Sequence, residues 1–194
     1  MKVIAGTCKG RRLCVSGAAS IRPTTDKVRE AVFDILTHAY GALNEAAFPF
    51  SRCLDLFAGS GAMGIEAMSR GAQEMTFVDD SPAAIKLIRQ NLEICGSNHK
   101  AVVLKTNALA AIRRFAGQKR TFDLIFVDPP YESTLAVQTL RAIDEVALVS
   151  EDGVVVVETS KRASLNELAL KILVLSDERR YGDTAVYFYR LRVG

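Results

Sequence analysis

Residues 52–64 read Arg-Cys-Leu-Asp-Leu-Phe-Ala-Gly-Ser-Gly-Ala-Met-Gly and give the clearest indication of the fold class. An apolar, strand-like run over Cys53–Phe57 leads into glycines at positions 59, 61 and 64, and a helical pattern follows. This spacing matches the Gly-x-Gly-x-x-Gly loop that connects a strand to a helix in nucleotide-binding α/β folds. Glycines at these positions permit a tight turn and let a ligand approach the backbone.

Strand-like and helical segments alternate from position 52 to the end of the chain. The predicted strands are Cys53–Phe57, Met75–Val78, Ala101–Leu104, Phe122–Val127, Val154–Glu158, Lys171–Leu175 and Thr184–Leu191. The clearest helix covers 82–95, with Ser81 as N-cap, Pro82 at the first helical position and Gly96 just beyond the end. The alternation predicts an α/β fold with a mostly parallel sheet and helices on both faces. A further helix is predicted after Thr24–Asp26, followed by a linker over 40–51.

Carboxylates lie near the glycine loop and at the end of the second strand. Asp79, twenty residues after Gly59, can accept hydrogen bonds from both hydroxyls of a ribose. Asp80 beside it is the alternative residue for this role. Asp55 would repel a pyrophosphate and suits a cofactor with an ammonium group, which favours S-adenosylmethionine over NAD(P). Asn107 lies where an adenine edge is expected, or it caps the next helix. The candidate cofactor contacts are Asp55, Phe57, Ala58, Gly59, Ser60, Gly61, Asp79, Asn107 and Ala108.

The fourth strand ends in Asp128-Pro129-Pro130-Tyr131, where ligands bind in open α/β sheets. An exocyclic amine on a nucleic-acid base is a poor nucleophile because its lone pair is delocalised into the ring. The Asp128 carboxylate and the Pro129 carbonyl can accept its N–H protons, the prolines hold that carbonyl stiffly, and Tyr131 can stack on an unstacked base. The tetrad therefore indicates methyl transfer to an amino group, and its four residues are the candidate catalytic residues.

The N-terminal segment is strongly basic. Residues 1–29 carry seven Lys and Arg side chains and one acid, so this segment has a net charge of +6 in a chain whose total is +3. A basic segment on a mildly acidic body favours a polyanionic partner such as nucleic acid. We divide the chain into a basic hairpin or arm over 1–23 and a catalytic domain over 24–194.

Several of these motifs together resemble the RsmD family of bacterial 16S rRNA guanine-N2 methyltransferases. The similar segments are Ile4-Ala5-Gly6, Gly10-Arg11-Arg12-Leu13, Arg22-Pro23-Thr24-Thr25-Asp26-Lys27-Val28-Arg29-Glu30, Leu54–Gly61, Phe126–Tyr131, Val157-Glu158 and Tyr181-Gly182-Asp183-Thr184. The glycine loop and the tetrad occur throughout the superfamily, whereas the Arg-Pro-Thr segment is specific to this family. The chain departs from the family at the end of the second strand, where Asp79 replaces the usual Glu.

The resemblance implies a Rossmann-like class I methyltransferase fold with a seven-stranded sheet and an antiparallel last strand. It implies S-adenosylmethionine as cofactor and one guanine of 16S rRNA, in the assembled or assembling small subunit, as substrate. The basic segment then becomes the expected rRNA contact. Its candidate residues are Lys9, Arg11, Arg12, Arg22, Thr24, Lys27 and Arg29.

Three other functions are also compatible with the sequence. They are an adenine-N6 methyltransferase, which the same tetrad would serve, an NAD(P)-dependent oxidoreductase, and an rRNA-binding assembly factor without catalysis. The chain has no apolar run near the ~20 residues that span a membrane and no signal-peptide pattern, so we expect a cytoplasmic protein. With two histidines and no Cys-x-x-Cys pair we expect no metal site, and we expect a monomer.

Overall fold

The computed structural model describes residues 1–15, 26–40, 48–130, 133–161 and 165–192. A short 3-10 turn at Asn98–Lys100 precedes β3. The helices are α1 (Asp26–Tyr40), α2 (Ala62–Arg70), α3 (Pro82–Cys95), α4 (Ala108–Gly117) and α5 (Ser133–Glu145). The strands are β1 (Arg52–Asp55), β2 (Glu74–Asp79), β3 (Ala101–Lys105), β4 (Phe122–Val127), β5 (Val149–Ser160), β6 (Leu173–Tyr181) and β7 (Thr184–Leu191).

The strands of the described residues form one seven-stranded sheet in the order β3-β2-β1-β4-β5-β7-β6. The strands from β3 across to β5 run parallel, whereas β7 is antiparallel to both β5 and β6. The predicted α/β architecture, with a mostly parallel sheet and an antiparallel last strand, is therefore confirmed.

The central strands are buried on both faces, because successive side chains point into two different cores. In β4, Leu124 and Phe126 pack on the side of α1, α2 and α3. Ile125 and Val127 point the other way, toward α4 and α5. This explains why the strands appear in the sequence as continuous apolar runs.

The helix predicted over 82–95 has the predicted caps. The Ser81 side chain accepts a hydrogen bond from the Ala84 amide, Pro82 occupies the first position, and Gly96 ends the helix at a φ of 64°. Glycine adopts this left-handed backbone conformation at a helix end more easily than other residues do.

Among the helices of the described residues, none has both the length and the hydrophobicity that a transmembrane span requires.

Some boundaries differ from the predicted ones. β1 ends at Asp55 rather than Phe57, because the chain turns there into the glycine loop. β6 continues to Tyr181, beyond the predicted end at Leu175, through the polar run Ser-Asp-Glu-Arg-Arg. As an edge strand it faces solvent, so its polar half carries no apolar signal.

The described part of the N-terminal segment, residues 1–15, forms a short hairpin in which Lys2 pairs with Arg12. Its buried side chains are Val3, Cys8 and Leu13. Gly6 adopts a φ of +77°, and a Cβ there would lie 1.7 Å from the Ser69 carbonyl oxygen of α2. Glycine therefore permits the close contact between hairpin and helix. The predicted boundary at residue 23 lies outside the described residues.

The predicted linker over 40–51 begins where α1 ends, at Tyr40, and positions 41–47 lie outside the described residues. Past that gap, Phe48 lies 5.8 Å from the ring of Phe33, and Phe50 lies 6.0 Å from the ring of Tyr40. The chain thus packs against α1 before it enters β1.

Glu66 of α2 ties the hairpin to the body of the protein. Its carboxylate is 1% exposed and accepts hydrogen bonds from the backbone amides of Ile4 (2.8 Å) and Ala5 (3.0 Å). It also pairs with Arg70 Nε at 2.8 Å and lies 3.9 Å from Arg29 Nε. A buried carboxylate is tolerated when cations and N–H donors surround it in this way.

Arg29 was predicted to contact RNA, and the structure corrects this prediction. Its side chain is 0% exposed, donates to the Lys2 carbonyl and to Asp26 (3.1 Å), and lies beside Glu66. Arg29 lies on the inner face of α1, so its charge compensates Glu66 and does not face solvent.

We expect Glu66→Ala to lower the free energy of unfolding by about 3 kcal/mol, because it leaves the Ile4 and Ala5 amides without their acceptor and removes the buried countercharge of Arg29 and Arg70. Urea denaturation measures the loss. Glu93→Ala, which removes an exposed carboxylate from α3, should change stability by no more than about 0.5 kcal/mol. A loss for Glu66→Ala as small as that of the control would contradict the role given to Glu66.

Candidate active site

The carboxyl ends of β1 to β5 lie at one edge of the sheet, because these strands are parallel. β1 and β4 are neighbours there although β2 and β3 lie between them in sequence, so the helices after β1 and β4 cover opposite faces. Such a switch point opens a crevice at the strand ends. A cleft of about 980 Å³ lies at this point, and residues from the ends of β1, β2, β4 and β5 line it.

The glycine loop forms one wall of the cleft. Gly59 and Gly61 have φ values of +53° and +78°, which glycine adopts readily. At Gly64, in the first turn of α2, a Cβ would lie 2.3 Å from the ring of Phe77. The first two glycines therefore shape the turn, and the third allows α2 to pack closely on β2.

Asp79 is bound to the loop by its side chain. One carboxylate oxygen accepts from the Gly59 amide at 2.8 Å, and the other accepts from the Ser81 amide at 2.9 Å. Asp80 also lines the cleft but is exposed. The structure thus distinguishes the two acids: Asp79 is held at a fixed place beside the loop.

Asp55 is buried at the base of the cleft, with 2% of its surface exposed. Burial, together with the nearby Asp79, raises the pKa of Asp55 to about 7, although the amides of Phe57 and Gly64 donate to it and partly offset this. Among the described residues, no Lys or Arg forms an ion pair with Asp55. A buried carboxyl group that faces a cleft without a cation is a good receptor for a ligand ammonium group.

Asn107 has the helix-capping role that was the alternative to an adenine contact. Its side-chain oxygen accepts from the Ala110 amide at 2.8 Å, at the start of α4. Asn107 and Ala108 both line the cleft, so capping places them at the wall where they were expected.

The tetrad at the end of β4 opens into the same cleft. Asp128 is half-buried, Pro129 is buried and Pro130 is exposed, and all three line the cleft. Tyr131 lies outside the described residues. The structure therefore brings together Asp55, Asp79 and the Asp128-Pro129 pair, as their positions at the ends of parallel strands predict.

The charged side chains of the described cleft wall are mostly acidic. The carboxylates are Asp55, Asp79, Asp80, Asp128 and Glu158, and the basic side chains are Lys86 and Arg113. This excess of negative charge favours a cationic ligand and disfavours a pyrophosphate.

Several lining residues were not identified from the sequence. They include Met1, Val15, Lys86, Arg113, Glu158, Thr159, Ser160 and Thr184. Glu158 follows an apolar strand, as Asp55 and Asp79 do, so its position at a strand end was an available signal. Lys86 and Arg113 lie on helices, where the sequence pattern does not separate a cleft wall from a solvated face.

The residues predicted to contact RNA divide into three groups, which are exposed, outside the described residues, or buried. Lys9, Arg12 and Lys27 are exposed. Arg11 is also exposed, but it donates to the Ile94 carbonyl at the end of α3. Arg22 and Thr24 lie outside the described residues, and Arg29 is buried as described above.

Known proteins resemble the chain over its whole length. The model of a family described as "Conserved hypothetical protein 95" matches residues 1–190. The chain belongs to this family. YlbH of Bacillus subtilis, whose name assigns it provisionally to the rRNA methyltransferases, is 38% identical over 192 residues, which are 99% of this chain and 100% of YlbH.

Two further similarities, one in sequence and one in structure, are to proteins described from Escherichia coli. "Ribosomal RNA small subunit methyltransferase D" is 32% identical over 160 residues, which are 82% of this chain and 74% of that protein. The solved structure of yhhF, also provisionally described as a methyltransferase, superposes with a TM-score of 0.81 at 28% identity and covers 100% of this chain and 99% of its own. The predicted RsmD family and class I methyltransferase fold are confirmed, and family membership supports S-adenosylmethionine as the cofactor.

The raised pKa of Asp55 predicts how cofactor binding depends on pH. If the ammonium group of S-adenosylhomocysteine pairs with ionised Asp55, binding below pH 7 must release a proton. The affinity should then fall by up to about tenfold per pH unit below 7 and change little above it. Isothermal titration at pH 6 and pH 8 measures this difference.

Asp55→Asn is the matched control, because it keeps the shape of the side chain and cannot ionise. It should bind weakly at both pH values, with about a twofold difference or less. A wild-type affinity that is equal at pH 6 and pH 8 would argue against Asp55 as the ammonium receptor.

Proposed function

We propose that the protein transfers a methyl group from S-adenosylmethionine to the exocyclic N2 amino group of a guanine in 16S rRNA of the small ribosomal subunit. The main support for this proposal is that Asp128 and Pro129 line the same cleft as Asp55 and Asp79. A group that suits an amino nitrogen thus lies beside groups that suit the amino-acid and ribose ends of the cofactor.

The residues present fit this cofactor. Asp55 would receive its ammonium group, Asp79 its ribose hydroxyls, and Asn107 with Ala108 the adenine edge. The backbone of residues 57–61 would line the side next to the amino-acid end. When bound, the cofactor supplies a methyl group on a positively charged sulfur, and the acidic cleft favours that charge. The same acidity disfavours the pyrophosphate of NAD(P), so an oxidoreductase is the less favoured function.

The tetrad would act on the nucleophile. The Asp128 carboxylate and the Pro129 carbonyl would accept hydrogen bonds from the two N–H groups of the amine, which helps the nitrogen become pyramidal. The carboxylate would also stabilise the positive charge that develops on the nitrogen. Pro129 is buried, so its carbonyl is held without a large ordering cost when the base arrives. We assign base stacking to Tyr131 from its place in the tetrad.

The hairpin would contact the rRNA phosphates. Lys9 and Arg12 are exposed on it, and Lys27 is exposed at the start of α1. Arg11 would contribute in part, and Arg22 and Thr24 are assigned from the sequence. Phosphate contacts of this kind make binding salt-dependent. The name of the Escherichia coli relative supports rRNA of the small subunit as the substrate.

The choice of guanine does not follow from the tetrad, because the same four residues would also serve an adenine N6 amino group. The resemblance to the guanine-N2 family supports guanine, and the identity of the product nucleoside tests it.

In the decisive assay, small subunits from cells that lack this protein are incubated with the enzyme and S-adenosylmethionine, and the rRNA is digested to nucleosides for mass spectrometry. We expect N2-methylguanosine. Asp128→Ala should reduce the rate by about 10²- to 10³-fold, because a preorganised acceptor for the amine is lost.

Asp152→Ala is the control, since Asp152 is an exposed carboxylate at the opposite end of the sheet. It should methylate at the wild-type rate. N6-methyladenosine as the product would refute the guanine assignment, and wild-type activity of Asp128→Ala would refute the catalytic role of the tetrad.

A further inference from the structure

Asn91 is a fully buried polar side chain on α3, with 0% of its surface exposed. The other buried residues of this helix are Ile85, Ile88, Leu92 and Cys95. A buried amide is costly unless its donors and acceptor are satisfied. Asn91 must therefore be explained by the groups that it binds.

Among the described residues, the Asn91 side chain makes three hydrogen bonds, and all of them go to the main chain of two different segments. Its oxygen accepts from the Cys14 amide at 2.8 Å, and its nitrogen donates to the Cys14 carbonyl at 3.0 Å. The same nitrogen donates to the Ser60 carbonyl at 2.8 Å. One side chain thus joins the end of the hairpin to the glycine loop.

The hairpin is also part of the cleft wall. Val15 follows Cys14, is 45% exposed and lines the cleft. Met1 lines it as well, and its carbonyl accepts from the Leu13 amide at 3.1 Å across the hairpin. The position of the hairpin therefore affects the shape of the cofactor site.

The exposed side of the same hairpin carries Lys9 and Arg12, the proposed rRNA contacts. We propose that Asn91 is a positioning residue that couples rRNA binding on the hairpin to cofactor binding at the glycine loop. This inference rests on the proposed function, because it requires that the hairpin binds rRNA.

The coupling should be favourable. An rRNA that holds the hairpin restricts Cys14 and Val15, and through Asn91 it restricts the Ser60 backbone. Cofactor binding then costs less conformational entropy, because this part of the protein is already restricted. Linkage requires the reverse effect to be equal, so the cofactor should raise rRNA affinity by the same factor.

Other contacts hold the hairpin without reaching the glycine loop. The Ser69 hydroxyl accepts from the Cys8 amide at 2.9 Å and donates to the Ala5 carbonyl. Ser69→Ala removes buried hairpin contacts, as a change at Asn91 does, but leaves Ser60 and Cys14 bonded. It is therefore the matched control for a purely structural role.

The test is isothermal titration of S-adenosylhomocysteine into the protein with and without saturating small ribosomal subunits from cells that lack this protein. For the wild type, the subunits should lower the Kd by about fivefold to tenfold, within the usual range of coupling between sites. In Asn91→Leu the ratio of the two Kd values should fall to within about twofold of one, while Ser69→Ala keeps the wild-type ratio.

A wild-type ratio of one, an unchanged ratio in Asn91→Leu, or an equal loss in Ser69→Ala would each overturn the inference. Failure of the wild type to bind the small subunits or S-adenosylhomocysteine would instead overturn the proposed function. A second measurement needs no variant: S-adenosylhomocysteine should slow hydrogen exchange at the Cys14 amide of the wild type. Unchanged exchange there would also count against the coupling.

Discussion

The parallel pairing of β1 with β4 is the constraint on which the rest of the site depends. Cys53, Leu54 and Asp55 lie opposite Leu124, Ile125 and Phe126. The ladder continues beyond β1, since the Leu56 amide donates to the Phe126 carbonyl at 3.1 Å, and the Ala58 amide donates to the Val78 carbonyl of β2 at 3.0 Å. These bonds determine where the glycine loop leaves the sheet. They also place the start of the tetrad next to it, so the cofactor and the amine would meet at one strand boundary.

A second set of buried polar contacts makes the N-terminal hairpin part of this site. Glu66 and Ser69 hold one end of the hairpin on α2, and Asn91 holds the other end on α3. Both helices follow strands whose ends carry Asp55 and Asp79, the carboxylates proposed to bind the cofactor. The basic segment is therefore packed into the catalytic domain over its described residues, and the surface proposed for rRNA and the cleft proposed for the cofactor share structural elements.

Much of this arrangement could be predicted from the sequence, because apolar runs, glycines and prolines report local backbone requirements. The positions of the strands, the caps of α3 and the meeting of Asp55, Asp79 and Asp128 at strand ends follow from such signals. The partners of individual side chains are harder to predict from the sequence, because they depend on how distant segments pack together. Arg29 has the same charge as its exposed neighbours, and only its position on the inner face of α1 shows that it pairs with Glu66. No sequence pattern marks Asn91, because the backbone groups that it binds belong to Ser60 and Cys14, which lie 31 and 77 positions away in the sequence.

The most direct measurement is a crystal structure of the protein with S-adenosylhomocysteine. We predict that its ammonium nitrogen lies about 3 Å from the Asp55 carboxylate, a hydrogen-bond distance, with the ribose hydroxyls at Asp79. The sulfur should face Asp128 and Pro129. An adenine ring against Asp55, or a sulfur that faces away from Asp128, would contradict the view that the ends of β1 and β4 bring the methyl donor and the amine together.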